Sequence, residues 1–128
     1  MRDQDGRHRL ALGQAAGVAA AADGSQGLEA CRTNSGKVLY DCVANVLDKM
    51  SGGMARGADP AARGALQTAA AQLRAASNKA QALSAIAQCR SVFSGAIQHM
   101  RSIGGDASGL SAIAGVLSKA AALIQSKG

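Results

Sequence analysis

The chain has 128 residues, enough for one ordinary domain and too few for two well-cored ones. Hydrophobic residues make up 48%, but 30 of the 128 residues are alanine and aromatics contribute only 2%. That argues against a core built on aromatic anchors, and the single proline with few β-branched residues argues against a β-sandwich or barrel. The formal net charge of +6 permits an anionic partner without demanding one, and the scarcity of aromatics leaves nucleic acid few platforms to stack on.

In chain order, residues 1–27 read as a tail or a secretory signal peptide, and residues 28–128 as a single helical domain. The first nine residues are polar and carry Arg2, Arg7 and Arg9. Leu10 to Ala22 is moderately apolar, and Ala20-Ala21-Ala22 before Asp23 fits the small-x-small cleavage rule. Asp3 and Asp5 dilute the positive start, and Gly13, Gln14 and Gly17 weaken the apolar stretch. The other reading of this region is an Ala-rich tail. No run approaches the roughly 20 apolar residues of a membrane span.

Four helical segments follow. Over 36–50, Val38, Leu39, Cys42, Val43, Val46, Leu47 and Met50 recur at helical spacing, with Lys37, Asp41, Asn45 and Asp48 opposite. Thr33, Asn34 and Ser35 offer caps, and Ser51-Gly52-Gly53 offers a stop before a linker to Ala58. Asp59-Pro60 reads as N-cap and first turn of a helix over 60–76, which is helical because alanine favours helix locally. Ser77-Asn78 is a weak break before 79–103, whose apolar face runs through Leu83, Ile86, Cys89, Phe93, Ile97 and Met100. Gly104-Gly105 ends it, Asp106 or Ser108 caps the next, and 107–126 completes an all-α, up-down bundle of about four Ala-rich helices.

Little chemistry is legible. Cys31, Cys42 and Cys89 match no zinc, haem or thioredoxin spacing, so they are either buried thiols or one disulfide plus a leftover thiol. Cys42 and Cys89 fall at similar heights on diagonal helices, whereas Cys31 is freer to reach a partner. His8 lies in the tail, and His99 sits on the polar side of its helix. Met50, Met54 and Met100 read as core rather than copper ligands. No catalytic, cofactor-binding or metal-binding set emerges, so no cofactor is expected and an enzyme ranks last among the readings.

Two surfaces merit attention. Lys79, Arg90 and Arg101 recur every eleven residues, forming a stripe that would contact a polyanion or simply flank the core; Arg63 and Arg74 repeat that spacing. Leu110, Ile113, Val116, Leu117 and Ile124 give the last helix an apolar face too broad for a four-helix core, so a second face needs another chain or the N-terminal tail folded back over it. The expectation is a binding or structural protein acting through helix-mediated assembly or partner docking, with a protein partner or a second copy. Export to the periplasm or beyond is favoured over the cytoplasm. The runner-up is an intracellular basic protein that contacts nucleic acid or an acidic partner, with nucleic acid the less favoured of the two.

Overall fold

The computed structural model describes residues 2–54 and 60–128, with side chains from residue 16 onward. The linker expected up to Ala58 and the cap expected from Asp59 lie partly or wholly outside those residues. The described chain is all-α and has five helices: α1 (Arg2–Cys31), α2 (Gly36–Gly53), α3 (Pro60–Ala75), α4 (Lys79–Ser102) and α5 (Ser108–Lys127). Four of these match the segments read from periodicity to within a few residues. The fifth, α1, corrects the count.

The boundaries have local causes. Asn78 accepts a hydrogen bond from the Gln81 backbone N–H at 2.9 Å, so the weak break after α3 is an N-cap that starts a new helix. Asp106 Oδ1 accepts from the Ser108 N–H at the same distance ahead of α5. Gly36 and Gly104 adopt φ of +58° and +73°, a left-handed backbone that glycine enters without steric cost, at the start of α2 and after the end of α4. Ser35 occupies the N-cap of α2 without making a side-chain capping bond. Ser51-Gly52-Gly53 does not stop α2, which continues through Gly53.

Sequential helices touch one another, and α5 closes the ring by touching α1 and, across the middle, α2. The core between them is aliphatic: Leu39, Leu47 and Met50 from α2, Leu66 and Leu73 from α3, Ile86 and Phe93 from α4, and Ile113, Leu117 and Ile124 from α5 are fully buried. α1 joins this core with small side chains. Its buried positions are Gly17, Ala20, Ala21, Gly24, Leu28 and Cys31, spaced three, one, three, four and three apart, as one helical face requires. A Cβ on Gly17 would lie 2.9 Å from the Gly109 Cα, and one on Gly27 would lie 2.8 Å from Val46 Cγ2. Glycine is therefore what lets α1 settle against α5 and α2.

Three lysines hold helix ends at one end of the bundle. Lys37 Nζ donates to the carbonyls of Leu73 and Arg74 at the end of α3. Lys79 Nζ donates to that of Gln125 in the last turn of α5, and Lys127 Nζ to that of Arg32 just past α1. Unpaired carbonyls and the negative end of the helix dipole both favour a cation there, by about 0.3–1 kcal/mol per site at exposed positions.

Candidate functional site

Cys31 and Cys42 are joined as a disulfide, with a Cα–Cα separation of 5.9 Å, across the turn between α1 and α2. Cys31 is the last residue of α1 and fully buried, and Cys42 is half-buried nearly two turns into α2. Cys89 is left as a free thiol. It is buried in α4, and that burial pushes its pKa from 9.0 up to about 12, so it stays protonated and unreactive.

The five residues expected to form an assembly face, Leu110, Ile113, Val116, Leu117 and Ile124, are all buried within the single chain. α1 supplies the second cover: a Cβ on Gly24 would lie 3.3 Å from Val116 Cγ1. α5 is long and apolar enough to cross a membrane by length and composition alone, yet here it packs against α1, α2 and α4. Along the outer α1–α5 seam runs an open cavity of about 280 Å3, floored by Leu28, Ala122 and Leu123 and rimmed by Ser25, Glu29, Arg32, Lys119 and Ser126. Two of its rim charges, Glu29 and Arg32, pair with each other at 3.0 Å.

The basic stripe divides. Lys79 is engaged at the end of α5, and on α3 Arg74 bonds to Asn45 and Asp48 of α2. Arg90 and Arg101 are exposed and have no acid partner among the described residues. At 100° per residue, Lys79, Leu83, Arg90, Ile97 and Arg101 share one flank of α4, and the Lys79 bond to Gln125 fixes that flank as the one facing α5.

Cations are spread along the chain, but the acids are not. Up to residue 54 there are six of each sign. From Pro60 to Gly128 there are seven Lys and Arg and a single acid, Asp106, so these helices carry the whole net charge of +6. Summing charge by segment would have shown this in the sequence. All three ion pairs among the described residues, Glu29–Arg32, Asp41–Lys37 and Asp48–Arg74, take their acid from α1 or α2. His99 is exposed, Met50 and Met54 are core residues, and no three His, Cys, Asp or Glu side chains converge among the described residues. The side chain of His8 lies outside them. No protein-family model, curated protein or solved structure matches this chain.

Proposed function

We propose that this chain is an exported, non-catalytic binding module that docks an acidic partner on its basic half. The observation that carries the reading is the charge division: α3, α4 and α5 hold seven cations from Pro60 on against one acid, and that acid is engaged in capping α5. Such a surface attracts anions and repels cationic neighbours. An up-down path of the chain supports it, because that path sets α3, α4 and α5 side by side. Export is supported by the Cys31–Cys42 disulfide, since such bonds persist in oxidising compartments. The binding reading is favoured over catalysis because the cysteines are either disulfide-bonded or buried and His99 forms no ion pair among the described residues. The test is titration with poly-L-glutamate and with poly-L-lysine at two salt concentrations. Salt-sensitive binding of the first alone is expected; binding of neither would overturn the reading.

A second reading, self-association, rests on where α1 lies. Cleavage after Ala22 would remove Gly17, Ala20 and Ala21 from the bundle and take away the cover that Gly17 gives the buried Gly109. On that reading a chain starting at Asp23 sediments as a dimer or larger, and the full chain as a monomer. Intact mass of the native protein reports whether the cleavage occurs.

A further inference from the structure

We infer that the outer groove between α4 and α5 is the docking site and that its occupant is an acidic amphipathic helix of a partner protein. The inference rests on the acidic-partner reading above and adds the place and the kind of partner.

Small and half-buried side chains make the floor. On α4, Leu83 and Ile97 are half-buried, and on α5 so are Ala114 and Ala121, all four packed against the core. Ser118 of α5 lies on the same flank, exposed, its hydroxyl turned back to the Ala114 carbonyl. Alanine and serine let an incoming helix approach closely, and the apolar patches of Leu83 and Ile97 remain to be covered. Charge makes the rim. Arg90 and Arg101 stand on this flank of α4, eleven residues and so about 16 Å apart along the axis, with no acid partner among the described residues. A partner helix with two carboxylates eleven residues apart meets both guanidinium groups while its apolar face covers the floor.

The alternatives fit less well. A second copy has few acids to offer, because Glu29, Asp41 and Asp48 are paired and Asp106 is engaged, leaving Asp23 among the described acids. Nucleic acid would find no base platform, because the only aromatics, Tyr40 and Phe93, are buried. A bilayer surface needs protruding apolar side chains, and Leu83, Ile97, Ala114 and Ala121 are half-buried.

The probe is a synthetic Ala/Leu/Gln helix with glutamates at two positions eleven apart on the edge of its apolar face. Binding to the full chain is expected to weaken about tenfold or more in Arg90→Glu/Arg101→Glu and, separately, in Ser118→Trp, which fills the groove and leaves its charges in place. Both changes fall on exposed side chains, and circular dichroism checks that the helices persist. Lys49→Glu on α2 is the control and should bind within about twofold of the parent. If the peptide binds all variants alike while poly-L-glutamate still binds the parent, the groove is wrong and the acidic-partner reading survives. If neither ligand binds, both fall. Tighter binding to phosphatidylglycerol vesicles or single-stranded DNA, unchanged by Ser118→Trp, overturns the assignment to a helix.

Discussion

The two halves of this molecule are held by different forces. The α1–α2 hairpin is covalently closed by Cys31–Cys42, has as many acids as bases up to residue 54, and attaches α1 to the bundle largely through glycine and alanine. The α3–α5 half has no cross-link, keeps a buried free thiol, and carries six more positive charges than negative. Alanine surfaces bury little area each, at roughly 25 cal/mol per Å2, so α1, which meets the core mainly with glycine and alanine, gains most from a cross-link to α2 that constrains the unfolded state. The second half has Phe93, Ile86, Leu66, Leu73, Ile113 and Leu117 to bury, and tolerates a charge excess that repels itself. Stability and surface charge are thus divided between the halves: one is fastened, the other is left charged.

The contrast can be broken most severely where the halves meet. Val116 is 1% exposed beside Gly24, so Val116→Glu buries a carboxylate without a partner. The expected cost is about 4 kcal/mol or more, seen as loss of the cooperative thermal transition. Cys31→Ser with Cys42→Ser should cost about 3 kcal/mol in denaturant titrations, with hydrogen exchange rising in α1 and α2 before α4. Cys89 sharpens the other side. Its thiol stays protonated up to about pH 12 in the fold but ionises near 9.0 once exposed. The unfolded chain therefore binds fewer protons between those values, and stability, fully present below pH 9, falls as pH rises, by at most about 1.4 kcal/mol per pH unit. Cys89→Ala should remove that component of the slope. The smallest effect belongs to Arg74→Ala, which cuts the exposed ion pair joining the halves and should cost below about 1 kcal/mol by chemical denaturation.

The sequence shows α1 less well than the other helices, for a physical reason. In α2, α4 and α5, leucine, isoleucine and valine recur on one face and contrast with polar neighbours, and those helices were legible with their ends nearly right. The inward face of α1 is Gly17, Ala20, Ala21 and Gly24, and its outward positions include Ala19 and Ala22, so hydrophobicity hardly varies around the helix. Periodicity has nothing to register there, and a signal-peptide pattern fits the same residues. The broad apolar surface of α5 did indicate a missing cover, with the N-terminal tail named among its candidates. The Cys31–Cys42 pair was one alternative among several, because pairing depends on the α1 that periodicity did not show. The groove between α4 and α5 was half legible: Arg90 and Arg101 are visible as a repeat, but Lys79 is taken up at the end of α5, which only the packing reveals.

The most direct test of the division is to map where an acidic ligand lands. Amide chemical shifts of the full chain, followed during titration with the two-glutamate helix, are expected to move at Arg90, Ile97, Arg101, Ala114 and Ser118, while α1 and α2 stay in place. Shifts confined to α1 and α2, or spread evenly over the chain, would contradict the account.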